Sequence, residues 1–367
     1  MTDVIVVGAG VIGLLSALRL RQAGLSVEVF DKSEPATESS WAALGVLSPE
    51  AAPGRTPQWL RLAQASLALF PALADELRVQ TGVDVALRRE GLLHLALDEA
   101  EEHALREEEV TQRTANVPVQ WLSAAEVRAL EPNLTEQLRA ALHFRQGWRV
   151  DNVRLNTALV AALDKTGVPI QTGRTVTQIV SEGGRVLGVR AGAEVYRAPW
   201  VVVAAGAWSG MIDGVSLPVR PAKGQALLLD AAGLPAFGLS HVIDSQLGYI
   251  VPRGNNKLLL GATVEDAAFD KRVSTTAIRE LVSGAQRMVP ALKDARVRET
   301  WAGLRPRSAD DQPLLGPVRR CPGLVAATGH FRNGILLAPI TALLVTDWVT
   351  EKPASLDVTA FSPDRFG

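Results

Sequence analysis

The sequence predicts an α/β chain of two parts, one built on a parallel sheet and the other an α+β part built on an antiparallel sheet. Three observations carry this. A β-branched run leads through a glycine-rich turn into an apolar helix within the first 31 residues, and a second β-branched run ends in glycine at residue 206. Between residues 217 and 300 the pattern changes to short extended runs. The two kinds of segment interleave, so each part is discontinuous in the chain.

Val4-Ile5-Val6-Val7 reads as a strand buried on both faces. Gly8-Ala9-Gly10-Val11-Ile12-Gly13 follows, then a helix over residues 14–23 that stops at Gly24. Residues 26–30 are extended again and end at Asp31. Strand, glycine turn, helix, strand and acid make the βαβ unit of a Rossmann-like domain. The first glycine permits the tight turn, the second lets backbone approach a pyrophosphate, and the third lets helix and strand pack closely. Asp31 lies 31 − 13 = 18 residues beyond the last glycine, in position to accept hydrogen bonds from a ribose. These residues indicate a dinucleotide and leave FAD and NAD both open.

Further along, residues 154–166 read as a helix ending at Gly167, followed by an extended 169–172, a hairpin around residues 182–185 and a buried strand from Trp200 to Gly206. Residues 225–229, 249–252 and 257–261 suggest the antiparallel sheet, with a helix near residues 275–288. Residues 97–113 form a helix rich in glutamate, read as a solvated face. The expected boundaries assign 1–83, 148–217 and 297–367 to the dinucleotide-binding domain, and 84–147 and 218–296 to a substrate-binding domain.

Composition narrows the function. Of 367 residues 47% are hydrophobic, and 38 basic against 39 acidic side chains leave a net charge of −1, so there is no basic field for nucleic acid or anionic lipid. The single cysteine, Cys321, excludes an intramolecular disulfide framework, and the five histidines lack paired ligand spacing, so no metal is expected. The uncharged run 333–346 falls short of the roughly 20 residues a membrane span needs and reads as a buried helix. No leader is apparent, and a cytoplasmic protein is expected. There is no GxSxG elbow and no HExxH pair, which leaves hydrolysis unsupported.

Three further stretches carry chemistry. Residues 39–49 (SSWAALGVLSP) are small enough for main chain to lie against a flat ring system. Trp301-Ala302-Gly303-Leu304-Arg305-Pro306 and Gly329-His330-Phe331-Arg332-Asn333-Gly334-Ile335-Leu336-Leu337-Ala338-Pro339 each set an arginine in an apolar or glycine-rich context. Such an arginine needs an anionic partner: a substrate carboxylate, or an internal one such as Asp310. His330, alone beside glycine, reads as positional more than as an acid or base.

On these residues, from Val4 to about Trp348, the sequence resembles the glycine oxidase branch of the D-amino-acid-oxidase-like flavoproteins. The resemblance implies non-covalent FAD and oxidative deamination of glycine, sarcosine or small D-amino acids by hydride transfer to flavin N5. Oxygen would be reduced to hydrogen peroxide, and the imine hydrolysed to an oxoacid with ammonia or an amine. It also implies thiamine biosynthesis as a pathway context and a homo-oligomer, a dimer or tetramer. Carried over by residue, Gly8, Gly10, Val11, Ile12 and Gly13 line the pyrophosphate, and Asp31 and Lys32 meet the adenosine end. Ser39, Ser40, Leu44, Gly45 and Val46 run along phosphate and isoalloxazine. Val176 meets adenine, and Ala205, Gly206 and Trp208 pass close to FAD. His330, Phe331, Arg332, Asn333, Gly334, Ile335 and Leu336 lie under the flavin ring. Arg305 takes the substrate carboxylate, with Arg332 and Tyr249 beside it, and no acid or base residue is required. Leu247 stands where some glycine oxidases carry histidine, implying a more apolar entrance, and Arg307 stands where a small residue is usual. An alternative is an FAD-dependent D-amino-acid dehydrogenase that passes electrons to a quinone or protein acceptor.

Overall fold

A computed structural model describes residues 1–51, 55–234 and 238–366. Val4–Val7 is a fully buried strand near the middle of a six-stranded sheet. The strand order is Leu314–Pro317, Leu324–Thr328, Trp200–Val203, Val4–Val7, Val27–Phe30 and Ile170–Gln171. All neighbours are parallel except the first pair. The β-branched runs suit this position because alternate side chains feed different cores. Val4 and Val6 pack into a core with the helices Val11–Gln22, Pro57–Thr81, Asn152–Thr166 and Gly334–Val349, whereas Ile5 and Val7 face a second core. That second core lies beneath a three-stranded sheet of Val176–Glu182, Arg185–Ala191 and Glu194–Arg197. Cys321 is buried there.

The other sheet has eight strands, in the order Arg296–Ser308, Val219–Asp230, Lys257–Gly261, Gly248–Pro252, Val242–Ser245, Leu92–Ala96, Ala140–Phe144 and Val119–Ser123. It is antiparallel apart from Val242–Ser245, which runs parallel to Leu92–Ala96. Helix Thr275–Met288 covers it through Ala277, Leu281, Ala285 and Met288. A boundary at 297 does not describe this sheet. Arg296–Ser308 pairs with Val219–Asp230 along its length, so the strand carrying Arg305 belongs to the larger sheet.

The acidic helix, Glu99–Thr114, corrects its reading as a solvated face. Glu99 and Glu107 are exposed, but Glu101, Glu102, Glu108 and Glu109 are half-buried and Leu105 and Gln112 are buried. Gln112 accepts from the Ala51 amide at 2.9 Å and donates to the Ala51 carbonyl at 2.7 Å. Glu108 meets Nδ1 of His94 at 2.9 Å. Apart from Asn333, the uncharged run 333–346 lies within helix Gly334–Val349, which contains Pro339. A buried Ser66 hydroxyl donates to the Leu336 carbonyl at 2.6 Å and accepts from the Ile340 amide at 3.2 Å, bracing the helix where proline offers no N–H. Among the described residues no helix is long and apolar enough to cross a membrane.

Candidate active site

A cavity of about 510 Å³ is lined by residues from both large sheets and from the starts of two helices. At one end, Gly8, Gly10, Val11 and Ile12 line it where Val4–Val7 turns into Val11–Gln22. Gly8 has φ +108° and is pressed against the Ala204 carbonyl, so only glycine fits. The helix start has no side-chain cap of its own; the Val11 amide donates to Ser40 Oγ at 2.9 Å. Asp31 also lines the cavity, and its carboxylate braces the turn by accepting the Ala9 amide at 2.6 Å and the Ser33 amide at 2.9 Å. Lys32 sits 3.8 Å over the Trp208 ring and 2.9 Å from Glu38. Val176, Ala205 and Gly206 complete this wall, with Arg174, Thr175 and Thr177 beside them.

The middle of the cavity is bounded by Ser39, Ser40, Leu44, Gly45 and Val46. This segment is fixed from several sides. Asn152 donates to the carbonyls of Ser40 and Trp41 at 2.9 and 2.8 Å, Ser39 Oγ donates to the Leu304 carbonyl, and Trp301 Nε1 donates to the Ala42 carbonyl at 3.0 Å. Gly303 leaves no room for a Cβ beside Ala42. The Trp301–Pro306 motif therefore packs against the 39–42 turn before delivering Arg305 to the cavity.

Arg305 Nη1 donates to the Thr263 carbonyl at 2.8 Å and to the Lys223 carbonyl at 3.4 Å. Among the described residues no carboxylate forms an ion pair with it. Asp310, the internal candidate, is taken by Arg365 at 2.9 Å. Burial, followed by repulsion from Arg332, lowers the Arg305 guanidinium to a pKa of about 10. Tyr249 and Arg332 line the same end, with Arg332 Nη2 donating to Tyr249 Oη at 3.2 Å. Burial raises the Tyr249 phenol, and the nearby carboxylates of Asp244 and Glu50 add to that. Behind Tyr249, burial pushes Asp244 up to about 7. Although burial works against it, His94 rises to about 9 through its bond to Glu108 and the field of Asp244.

His330, Phe331, Asn333, Gly334 and Ile335 line the cavity where helix Gly334–Val349 begins. His330 is 3% exposed and lies 3.0 Å from Thr341 Oγ1. Burial drives its pKa down to about 3, so it is neutral at ordinary pH.

Two expected lining residues stand off the cavity. Gly13 lies beneath the turn, where a Cβ would overlap the Gly8 carbonyl, and it serves close helix–strand packing. Leu336 points into the helical core, its carbonyl held by Ser66. Leu247 also does not border the cavity; it packs on the core under helix Thr275–Met288, so it does not set the polarity of the entrance. Arg307 pairs with Asp311 at 2.6 Å and is not a lining residue. Sequence reasoning missed Glu50, Arg55 and Gly224, all of which line the cavity. A glycine inside a strand is a signal of close approach, and at Gly224 the space is filled by the Arg305 guanidinium. Neither Glu50 nor Arg55 belongs to a sequence motif.

Residues 3–348 match the family described as FAD dependent oxidoreductase. The chain belongs to that family. Among FAD-dependent oxidoreductases it is 37% identical to the glycine oxidase of Geobacillus kaustophilus (strain HTA426), over 99% of this chain and 97% of that protein. The crystal structure of glycine oxidase from Geobacillus kaustophilus superposes with a TM-score of 0.93 at 36% identity, covering 99% of this chain and 98% of that one. The chain is also 33% identical to the bifunctional protein ThiO/ThiG of Trichormus variabilis (strain ATCC 29413 / PCC 7937), of which it spans 55%. The cavity suits FAD. Glycines admit backbone at the first helix start, a second helix begins at Gly334, and Asp31 ends the second strand of the βαβ unit.

Proposed function

We propose that this FAD-dependent oxidoreductase oxidatively deaminates glycine, sarcosine or small D-amino acids, with oxygen as the electron acceptor and hydrogen peroxide as a product. One observation carries the reading: a partly buried guanidinium, Arg305, faces the cavity with hydrogen bonds to backbone carbonyls and, among the described residues, no ion-pair partner. Its planar fork matches a carboxylate bidentately. FAD, when bound, supplies the two-electron acceptor.

The chain's own contribution is orientation. Gly8 to Ile12, Asp31 and Lys32 would hold the dinucleotide arm of FAD, and Ser39 to Val46 with His330 to Ile335 would hold its ring. Arg305 grips the substrate carboxylate, aided by Tyr249 and Arg332, so that the α-C–H of the neutral amine can leave as hydride. Fixing such a geometry lowers a barrier by on the order of 7–11 kcal/mol at best. The imine that remains hydrolyses to an oxoacid, releasing ammonia or an amine. The ammonium proton of the incoming zwitterion passes to solvent water before the hydride leaves, so no residue has to shuttle it, and the neutral His330 suits that economy.

The same reading places FAD binding on the six-stranded sheet and its helices and substrate binding on the eight-stranded one, in a cytoplasmic homo-oligomer. The ThiO/ThiG relative supports thiamine biosynthesis as a context. The test is the purified holoenzyme mixed with glycine, sarcosine, D-alanine and D-proline. Anaerobic bleaching of the flavin together with peroxide on aeration is expected. Bleaching without peroxide would favour a quinone or protein acceptor, and no bleaching by any amine would overturn the reading.

A further inference from the structure

Three guanidiniums border the substrate end of the cavity, Arg305, Arg332 and Arg55, and Glu50 is the carboxylate among them. One substrate carboxylate accounts for Arg305. Arg55 is left over, and its surroundings are those of a cation awaiting a partner. Its guanidinium stacks 3.6 Å over the ring of Trp59, a residue 1% exposed. Nη2 donates to Asn333 Oδ1 at a long 3.5 Å, and Nη1 is buried with no hydrogen-bond partner among the described residues. A buried charged donor left unmade is costly, and a group that supplies the missing acceptor recovers that cost.

We propose that Arg55 and Arg332 form a second anion grip, so that the site prefers amines carrying a further carboxylate beside the one Arg305 holds, N-carboxymethylglycine being the simplest. This rests on the amine-oxidation reading above. The electrostatics agree with the geometry. Burial, and then the neighbouring Arg332 cation, depress the Arg55 guanidinium to a pKa of about 10 in spite of Glu50. An incoming carboxylate relieves both effects. Glu50 does not remove the need, because burial raises its own carboxyl, and it forms no ion pair with Arg55 among the described residues. His94 and Glu108 stand behind Glu50, and Asp244 behind Tyr249. A glycine zwitterion brings no net charge to this end, whereas an amine with two carboxylates brings one negative charge.

The experiment uses the holoenzyme and two ethers that lack the amine and so report binding without turnover. Diglycolate and methoxyacetate differ by one carboxylate, and their dissociation constants are read from perturbation of the flavin spectrum. Diglycolate is expected to bind at least about tenfold more tightly, as one charge-assisted contact provides. Arg55→Met should abolish that advantage, weakening diglycolate by about 10- to 100-fold while methoxyacetate stays within about twofold. Arg55→Lys keeps the charge without the fork and should fall between them. In turnover, the kcat/KM ratio of N-carboxymethylglycine to sarcosine should drop in parallel in Arg55→Met. Unchanged methoxyacetate binding shows that the variant is folded. Equal affinities for the two ethers in the unmodified enzyme, or an advantage that survives Arg55→Met, would overturn the grip. If no amine bleaches the flavin, the amine reading fails alone, because the ether titration still answers for Arg55.

Discussion

Replacing Gly224 with alanine tests whether Arg305 acts by position. Gly224 lies in strand Val219–Asp230, directly opposite Gly303 and two residues from the register of Arg305. An added Cβ would sit well inside contact distance of Nη1, Nη2 and Cζ of Arg305, so the guanidinium must withdraw by about 1 Å to restore an ordinary 3.4 Å contact. The clash is with the free end of a long side chain, so the strand tolerates the methyl group. The 2.8 Å bond to the Thr263 carbonyl does not survive such a shift. A displacement of that size at a binding group costs about 100-fold, close to 2.7 kcal/mol. The expected result is a folded enzyme with its full complement of FAD, whose KM for its best amine rises by about that factor, with carboxylate inhibitors weakened equally. Steady-state kinetics, flavin absorbance per chain and thermal melting together measure it. A variant with unchanged KM would refute Arg305 as the carboxylate clamp.

Gly13→Ala puts its Cβ into the Gly8 carbonyl, which cannot rotate away, so this variant should lose bound FAD and melt earlier, at a cost of about 1–3 kcal/mol. At Gly10 the obstacle is the movable Ser40 Oγ at 3.2 Å, and Gly10→Ala should keep more flavin; equal flavin content in both would contradict the packing argument. Burial lowers His330 to about 3, against 6.5 when unfolded, so its neutral form stabilises the fold fully above 6.5 and progressively less as pH falls towards 3. Between pH 6.5 and 5 the loss is about 2 kcal/mol. His330→Gln should remove this part of the acid sensitivity, seen as a flatter dependence of urea midpoint on pH; an unaltered slope would show that the histidine already titrates in the folded protein.

The first βαβ unit was legible because a strand buried on both faces must be continuously apolar and its turn continuously small. The hairpin at 182–185 and helix Thr275–Met288 were equally plain. Strand Arg296–Ser308 was not, because its first five residues are exposed and polar or charged apart from Val297, and its remainder looked like a motif. Whether Asp310 serves Arg305 is decided by Arg365, 55 residues beyond Asp310, which takes that carboxylate. Pairings across such distances have no local signature. Gln112 shows the same limit: one buried amide on a strongly acidic helix holds both backbone groups of Ala51, next to the cavity-lining Glu50.

The edge strand that carries Arg305 and the strand that carries Tyr249 belong to the eight-stranded sheet, whereas the glycine turn and Asp31 belong to the six-stranded one. On the reading proposed above, the clamp at Arg305 and the seat of the prosthetic group rest on separate frameworks that meet along a single seam. Arg305 and Tyr249 could then be exchanged for a new diet while the glycine bank keeps its lodger.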